Sequence, residues 1–289
     1  METPALPPLP LIDEIIDRAL AEDLAGGDIT TEATVPADRM SRGVFVARSE
    51  LVVSGLPVAR RVFHRLDPEV VVTIQQGEAT VAAKGSTLME VSGRARVLLS
   101  AERVALNLVQ RMAGIATVTR KYVAAIPSGT RLRIADTRKT TPGLRILERY
   151  AVRCGGGHNH RDMLGSAVLI KDNHLVAAGG VRAAVERARA YAPHTSRIEC
   201  EVDSLAQLEE ALDAGADAVL LDNMDDAMVT RGVALVRGRP GGDRIFIEAS
   251  GGITLARIPS LAATGIDVIS VGALTHSAPS ADVALDLTV

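Results

Sequence analysis

Charged and polar residues follow a series of short apolar segments in the second half of this chain. Each segment, such as Leu132–Ala135 or Val168–Ile170, is too short and too β-branched for a helix and is typical of a strand. The segments end in these groups: Arg138 and Lys139, Lys171, Glu201, Asp222, Ser250-Gly251-Gly252, and Gly272-Ala273. In a parallel α/β barrel the carboxyl ends of the strands converge on one face, which carries the chemistry. The pattern therefore predicts a single site.

The cations in this set indicate an anionic ligand. Arg138, Lys139 and Lys171 would repel one another, and the segment His158-Asn159-His160-Arg161-Asp162 adds further positive charge. A substrate with several carboxylates or phosphates would balance them, because the arginine fork matches both groups. Gly155-Gly156-Gly157, which precedes that segment, is interpreted either as a flexible loop or as an anion-binding nest.

The remaining strand-end residues indicate what else the ligand contains. Glu201 and Asp222 suit hydroxyl recognition, Mg²⁺ ligation or stabilisation of a transient cation. Gly-rich turns at Ser250-Gly251-Gly252 and Gly272-Ala273 lie where barrels usually bind phosphate. The residues therefore predict a sugar phosphate, an acidic acceptor and a cation that develops between them. A transition metal bound by the histidines is the weaker interpretation, since no helix-borne partner accompanies them.

Composition excludes several other classes of protein. The 289 residues carry a formal net charge of -3, contain 2% aromatic residues and no Trp, and so predict no nucleic-acid partner. No apolar run approaches the roughly 20 residues that cross a bilayer, and no secretory signal is visible. Cys154 and Cys200 are interpreted as reduced thiols. A cytoplasmic protein without membrane contact is expected.

Two regions differ in their periodicity. After a helix that ends at Gly26-Gly27, residues 40–98 show short β-rich segments separated by turns, as in an antiparallel sheet. A long helix is predicted from Ser100, its expected N-cap, with Glu102, Arg103, Asn107, Gln110 and Arg111 interpreted as a solvated face. Beyond it strands alternate with helices such as 179–192 and 204–214. Six strands are predicted, so the barrel is expected to be incomplete.

Five groups of residues together resemble the quinolinate phosphoribosyltransferase family (nicotinate-nucleotide pyrophosphorylase, carboxylating). They are Asp136-Thr137-Arg138-Lys139-Thr140-Thr141-Pro142-Gly143, Gly156-Gly157-x-x-His160-Arg161, Leu169-Ile170-Lys171-Asp172-Asn173-His174, Glu248-Ala249-Ser250-Gly251-Gly252, and Ser100-Ala101-Glu102-Arg103-x-Ala105-Leu106-Asn107 ahead of Gly114-Ile115-Ala116-Thr117. The resemblance implies an α/β fold with an N-terminal α/β sandwich domain, residues 1–116, and a C-terminal open α/β barrel, residues 117–273. Residues 274–289 are expected to return to the N-terminal domain.

The resemblance also implies a reaction and a set of roles. Quinolinate and phosphoribosyl pyrophosphate, with Mg²⁺, would give nicotinate mononucleotide, pyrophosphate and CO₂ in de novo NAD biosynthesis, the work of a pentosyltransferase. Lys139, Lys171, Glu201 and Asp222 are the expected catalytic residues. The expected substrate-binding residues are Arg103, Arg138, His160, Arg161, His174, Ser250, Gly251, Gly252, Gly272 and Ala273. No metal is expected to be held by the protein alone, although Mg²⁺ bound with phosphoribosyl pyrophosphate could lie near Glu201 and Asp222.

The family further implies a homodimer in which Arg103 reaches the neighbouring subunit's active site, which replaces the solvated-face interpretation for this residue. Whether dimers assemble into hexamers stays open. Two alternatives remain: a sibling phosphoribosyltransferase with a different acidic acceptor, and a non-catalytic sensor of an anionic nucleotide. The intact Arg138, His160, Arg161 and Arg103 speak against the sibling enzyme, and a sensor would release no pyrophosphate.

Overall fold

A computed structural model describes residues 3–288. Its α-helices are α1 (Leu9–Leu24), α2 (Ile29–Thr34), α3 (Leu56–Leu66), α4 (Ala95–Ala124), α5 (Arg145–Cys154), α6 (Asp172–Ala178), α7 (Val181–Tyr191), α8 (Leu205–Asp213), α9 (Asp226–Arg237), α10 (Ile258–Ala263) and α11 (Ala273–His276). Its strands are β1 (Met40–Ala47), β2 (Leu51–Val52), β3 (Val71–Ile74), β4 (Val81–Ala82), β5 (Thr87–Arg94), β6 (Arg133–Ala135), β7 (Val168–Ile170), β8 (Ile198–Val202), β9 (Ala218–Asp222), β10 (Phe246–Ser250), β11 (Val268–Ser270) and β12 (Val283–Thr288). The chain forms two compact units: residues 1–120, 139–157 and 273–289 make the first, and residues 121–138 and 158–272 the second.

An antiparallel sheet with the strand order β12-β1-β5-β3 organises the first unit. The C-terminal strand β12 pairs with β1 from Arg42 opposite Thr288 to Ala47 opposite Val283. Strand β1 alternates inward and outward positions, which places Phe45 against Phe63 of α3, with ring centroids 6.0 Å apart. Strands β2 and β4 form a separate two-stranded sheet.

The long helix α4 begins earlier than the sequence pattern predicted. It begins at Ala95, so the prediction of Ser100 as its N-cap is wrong: Ser100 lies within the helix and its hydroxyl donates to Asp28 at 2.9 Å. The solvated-face interpretation is also wrong for Gln110 and Arg111. The Gln110 side-chain amide donates to the carbonyl of Val283 at 2.8 Å, and Arg111 pairs with a buried glutamate. These contacts depend on segments distant in sequence, which helical periodicity cannot reveal.

A buried carboxylate anchors the beginning of α3. Glu78 accepts hydrogen bonds from the backbone N–H groups of Gly55 and Leu56, at 2.9 and 3.0 Å, and from the hydroxyl of Tyr150 at 2.9 Å. These donors include groups that a helix leaves without intrahelical partners at its first turn. Burial nevertheless raises the pKa of Glu78, because it penalises the charged form more than the donors stabilise it.

The second unit contains a parallel sheet with the strand order β6-β11-β10-β9-β8-β7. Helices follow most of its strands, and β6 and β7 form its two edges, so the predicted open α/β barrel of six strands is confirmed. Beside β6 the backbone of His158 bonds to Ile134 and Asp136, at 2.8 and 3.0 Å, in a parallel bridge to Ala135. Within residues 3–288 no helix combines the length and the apolar character needed to cross a bilayer.

Candidate active site

Most of the predicted residues of the second unit lie at the end of the sheet formed by the carboxyl ends of its parallel strands. Because all five strand pairs are parallel, the residues that follow β6 to β11 leave the sheet in the same direction. Located there are Arg138, Lys171, Glu201, Asp222, Ser250, Gly251, Gly252 and Gly272. The sequence pattern of apolar segments that end in polar groups therefore corresponds to residues at the same end of the sheet.

The register of the strands also places the carboxylates on one face of the sheet. Glu201 pairs with Leu220, and Leu220 also pairs with Glu248. Since alternate residues of a strand share a face, Asp222 lies on the same face as Leu220, together with Ser250, which pairs with Asp222. One face of the sheet thus carries acidic groups at successive depths, with Asp222 and Ser250 nearest the carboxyl ends.

Lys171 and Glu201 form an ion pair across the ends of β7 and β8. The ammonium group contacts the Glu201 carboxylate, whose side chain is 12% exposed, while the lysine side chain is 45% exposed. Lys171 is also the N-cap of α6, where its backbone N–H donates to the ring of His174 at 2.9 Å. The structure therefore gives His174 a capping position at the first turn of α6, and its predicted contact with substrate stays a prediction.

Arg138 and Arg161 place two guanidinium groups near each other. Arg161 donates to the carbonyl of Ala167 at 3.0 Å, whereas its Nε–H is buried and has no hydrogen-bond partner in the described part of the chain. Burial and the charge of Arg138 both lower the pKa of Arg161, and the charge of Glu199 opposes them. Two close guanidiniums with a spare buried donor suit an anionic group that accepts from both.

His160 lies between two buried carboxylates that the sequence analysis did not assign to the site. Its Nε2 is 3.5 Å from Glu199 and 3.4 Å from Glu248. On the other side of the ring, Nδ1 is 2.7 Å from the backbone nitrogen of Arg161, whose N–H it accepts when the ring is neutral. Both ring nitrogens of His160 thus contact protein groups, and its predicted contact with substrate stays a prediction.

The two carboxylates decide the charge of His160. Burial disfavours the imidazolium, but the contacts with Glu199 and Glu248 outweigh it and raise the pKa of His160 to about 10. Burial and the charge of Glu248 raise the pKa of Glu199 in turn. The three donor atoms lie within 4.8 Å of one another, close enough to hold a cation. A shared proton serves the same purpose, and the nearby charge of Arg161 disfavours a further cation.

Asp136 anchors the segment that carries His160 and Arg161. It is fully buried, and its carboxylate accepts from the side-chain amide of Asn159 at 2.6 Å and from the backbone N–H of His160 at 2.7 Å. Together with the backbone bridge at His158, these bonds hold the segment beside the end of β6. Because Asp136 directly follows β6, the motif that contains Arg138 also fixes the position of His160.

The turn after β10 depends on glycine at one position. Gly251 has φ +85°, and a Cβ atom there would lie 2.2 Å from the side-chain oxygen of Asn223. Asn223 itself donates its backbone N–H to the carbonyl of Ser250 at 2.9 Å and its amide to Asp222 at 2.6 Å. These contacts bring the turns after β9 and β10 close together, and the predicted phosphate site at this position stays a prediction.

Three predicted residues belong to the first unit. Arg103 is exposed on α4, Lys139 is exposed and follows Arg138 in the chain, and Ala273 begins α11 directly after Gly272. Chain connectivity keeps Lys139 and Ala273 next to strand-end residues. Their predicted roles, and that of Arg103, stay predictions.

Glu199, Glu248 and Asp136 are the residues that sequence reasoning missed. Glu248 and Asp136 appeared in the motifs only as neighbours of more conspicuous residues, and Glu199 lies within the apolar segment that precedes Glu201. A usable signal was present for Glu199, because it lies two positions before Glu201 in the same strand and so shares its face. An acidic residue on the inner face of a buried strand needs a partner.

The fold and the groups at the carboxyl ends of its strands are those of an α/β barrel enzyme with cationic and acidic side chains at one end of the sheet. Two family models match the chain: the N-terminal domain of quinolinate phosphoribosyl transferase over residues 28–113 and its C-terminal domain over residues 115–286. The chain belongs to the quinolinate phosphoribosyltransferase family, as the motifs predicted.

Individual relatives agree with this assignment. A nicotinate-nucleotide pyrophosphorylase [carboxylating] of Mycobacterium leprae is 45% identical over 279 residues, which cover 95% of this chain and 96% of that protein. A probable enzyme of the same name from Bacillus subtilis is 40% identical and covers 96% and 94%. The crystal structure of NadC from Streptococcus pyogenes superimposes with a TM-score of 0.91 at 41% identity and covers 99% of each chain.

Proposed function

We propose that this protein transfers the phosphoribosyl group of phosphoribosyl pyrophosphate to the ring nitrogen of quinolinate and releases pyrophosphate and CO₂. The product is nicotinate mononucleotide, a precursor in NAD biosynthesis. Family membership supports this reaction, and one structural observation fits it closely: the paired guanidiniums of Arg138 and Arg161 lie in the same unit as the Glu201 and Asp222 carboxylates. An acceptor with two carboxylates and a sugar with two hydroxyls need these groups.

The acceptor needs cations that two carboxylates can share. Arg161 offers a buried Nε–H, and Arg138 lies near enough to lower its pKa. A carboxylate that accepts from both would relieve their mutual repulsion. Its hydrogen bonds would also be strong, because donor and acceptor are both charged. Lys139, which follows Arg138 in the chain, would be a third cation for either the acceptor or the pyrophosphate.

The ribose needs negative charge where a cation develops. As the C1′–O bond to pyrophosphate breaks, the ribose becomes oxocarbenium-like and its hydroxyl groups become better donors. Asp222 and Glu201, on one face of the sheet, can accept from these hydroxyls and stabilise the positive charge. The turn at Ser250 and Gly251 would hold the 5-phosphate with backbone N–H groups.

Decarboxylation then needs no nucleophile from the protein. The new N–C1′ bond makes the pyridine nitrogen cationic, which stabilises the electron pair left on the adjacent carbon when CO₂ departs. A proton from solvent completes the product. The contribution of the side chains is therefore positioning and electrostatic stabilisation, which can supply most of a barrier reduction.

Mg²⁺ enters this proposal with phosphoribosyl pyrophosphate. The ion prefers oxygen ligands and keeps several waters, so one or two carboxylates suffice on the protein side. Asp222 is the better candidate, since the Glu201 carboxylate already contacts Lys171. Bound there, the ion would neutralise charge on the departing pyrophosphate.

The active unit in this proposal is a homodimer. Arg103 is exposed on α4 of its own chain, as a residue offered to another subunit must be. In the neighbouring active site it would supply one more cation for the acceptor carboxylates.

One assay tests the reaction. Purified protein is incubated with quinolinate, phosphoribosyl pyrophosphate and Mg²⁺, and nicotinate mononucleotide and CO₂ are measured. Product should depend on all three components and should disappear when nicotinate replaces quinolinate. A folded protein that binds the substrates but releases no pyrophosphate would instead be a sensor, and product from another acidic acceptor would indicate the sibling transferase.

Arg138→Ala provides the matched test of the carboxylate clamp. We expect kcat/KM to fall by about 100-fold or more, because the variant loses a charged donor at the reacting group, while the melting temperature stays near that of the wild type. Arg131→Ala removes an exposed arginine of the same unit and should leave kcat/KM unchanged. Equal activity of the two variants would remove Arg138 from the mechanism.

A further inference from the structure

A buried ion pair lies in the first unit, away from the residues at the carboxyl ends of the parallel strands. The guanidinium of Arg111, on α4, donates from Nε and Nη2 to one carboxylate oxygen of Glu148, on α5, at 3.0 and 2.8 Å. The Glu148 side chain is 1% exposed and that of Arg111 is 23% exposed. Burying such a pair costs desolvation energy that its own attraction rarely exceeds, so the pair is weak evidence for a stabilising role alone.

The remaining atoms of this pair bind the segment that follows Arg138. The second carboxylate oxygen of Glu148 accepts from the backbone N–H of Thr141 at 3.1 Å, and Arg111 Nη2 also reaches the Thr141 hydroxyl at 3.3 Å. Glu148 and Arg111 thus contact both the backbone and the side chain of the same residue, two positions after Lys139.

A second contact holds Lys139 itself. Arg111 donates to the backbone carbonyl of Thr275, in α11, and the fully buried hydroxyl of Thr275 donates to the carbonyl of Lys139 at 2.7 Å. A further donation from Arg111 to the carbonyl of Ala278, at 3.2 Å, binds the segment that follows that helix. The backbone on which Lys139 stands is therefore bound at its own carbonyl and again at Thr141.

We propose that Arg111, Glu148 and Thr275 are positioning residues that fix the backbone of residues 139–141 and so direct the Lys139 side chain in the reaction. The inference rests on the proposed function for the role of Lys139. Its physical reason is that an exposed lysine has four flexible side-chain bonds, so its reach is defined only if its backbone is fixed. A displacement of about 1 Å can cost two orders of magnitude in rate.

The position of Lys139 can be measured without any activity. The chain contains four lysines, Lys84, Lys121, Lys139 and Lys171, so reductive ¹³C-methylation gives few NMR signals, and Lys139→Arg assigns the relevant one. In Glu148→Gln and in Thr275→Val we expect the Lys139 signal to shift or broaden while that of Lys84 stays in place. An unchanged Lys139 signal in both folded variants would overturn the proposal.

Thr119→Val is the matched control for Thr275→Val. Thr119 is also fully buried, and its hydroxyl also donates to a backbone carbonyl, that of Ile115 at 2.8 Å. Within the described residues it makes no hydrogen bond to residues 139–141. Both variants keep the side-chain shape and lose one hydroxyl. Only Thr275→Val should move the Lys139 signal, which separates positioning from a general loss of packing.

Kinetics test whether the positioning matters for the reaction. We expect kcat/KM to fall by about 10-fold in Thr275→Val and Glu148→Gln and to stay unchanged in Thr119→Val. Arg111→Lys keeps the charge but not the fork of donors, so its kcat/KM should be less than half of the wild-type value. A moved Lys139 signal with wild-type kcat/KM would overturn the role in catalysis. A wild-type protein without activity would refute the proposed function, and the NMR result would still decide the positioning.

Discussion

His160 shows how the surroundings of a single residue set its chemistry. The imidazole ring faces the carboxylates of Glu199 and Glu248 on one side and the backbone N–H of Arg161 on the other. The amide favours a neutral ring, whereas two carboxylates favour a second proton. Because two charges outweigh one dipole in a buried setting, the pKa of His160 rises to about 10.

Replacing one carboxylate should therefore move this titration. In Glu248→Gln the pKa of His160 should fall below about 10, because one of the two charges that favour the imidazolium is lost. The positive charge, present at low pH in both proteins, should thus be lost at lower pH in the variant. NMR titration of histidine-labelled protein measures this, with His160→Gln to assign the signal. The same titration midpoint in both proteins would show that Glu248 does not control the ring.

At this scale the sequence predicted the conspicuous residues and not their partners. Arg138, Lys171, Glu201 and Asp222 follow apolar segments directly, so their position at strand ends could be inferred from chain order. Glu148 could not be identified in this way, because its partner Arg111 lies 37 residues away on another helix. Partners are set by how helices pack, and no local pattern records that.

The turn after β10 is an element in which backbone geometry directly limits the sequence. Gly251 must approach Asn223 closely, whereas the neighbouring Gly252, at φ +59°, has nothing within 4 Å of the position that a Cβ atom would take. The two glycines thus differ in their surroundings although both have positive φ.

We expect Gly251→Ala to weaken the binding of phosphoribosyl pyrophosphate far more than Gly252→Ala. A Cβ atom at Gly251 would overlap the side chain and backbone of Asn223 and displace the turn, in addition to the strain of a positive φ. The control shares only the conformational strain. Steady-state measurement should give a KM for phosphoribosyl pyrophosphate raised by about 10-fold in the first variant. Equal KM values in the two variants would exclude a phosphate-binding role for this approach.

Helices and strands could be predicted where a single hydrophobic periodicity dominates the sequence. The six parallel strands and the helices α7 and α8 follow from their patterns. The structure gives the two helices within two residues of the predicted bounds, 179–192 and 204–214. The beginning of α4 was missed because the helical pattern continues upstream of Ser100 to Ala95. Gly155 and Gly157 have a packing role that the sequence did not indicate, since both lie against Thr119 at distances that exclude a side chain. The two interpretations of this glycine segment stay predictions.

The buried carboxyl group of Glu78 should make the free energy of unfolding of the protein depend on pH. Burial raises the pKa of this carboxyl group, so the fold binds its proton more tightly than the unfolded chain does. The resulting stabilisation is complete below the ordinary glutamate pKa of about 4.3 and is lost as the pH rises through the raised value. Glu78→Gln cannot titrate and should lack this loss.

The free energy of unfolding of the wild type, minus that of Glu78→Gln, should therefore become more negative between pH 4 and pH 8. Denaturant titration at a series of pH values measures this difference, and it does not require the two proteins to be equally stable at any one pH. Asp13→Asn, which breaks an ion pair with Arg61 elsewhere in the same unit, provides a comparison with a carboxylate whose pKa is lowered by that arginine. As the pH falls below about 4, the free energy of unfolding of the wild type minus that of Asp13→Asn should become more negative, because the stabilisation from a lowered pKa is lost in acid. The corresponding difference for Glu78→Gln becomes more positive as the pH falls. Parallel curves for wild type and Glu78→Gln would show that this carboxyl group titrates alike in the folded and unfolded chain.

The proposed dimer makes a quantitative prediction about mixed subunits. Arg103→Ala should inactivate the neighbour's active site, and Asp222→Asn should inactivate its own. In a mixture of equal amounts, about half of the dimers are heterodimers, and one site in each then combines an intact Arg103 with an intact Asp222. Activity should rise to about a quarter of the wild-type value after the subunits are mixed and allowed to exchange. If Arg103 served its own chain, both sites of the heterodimer would be defective and the mixture would stay as inactive as its components.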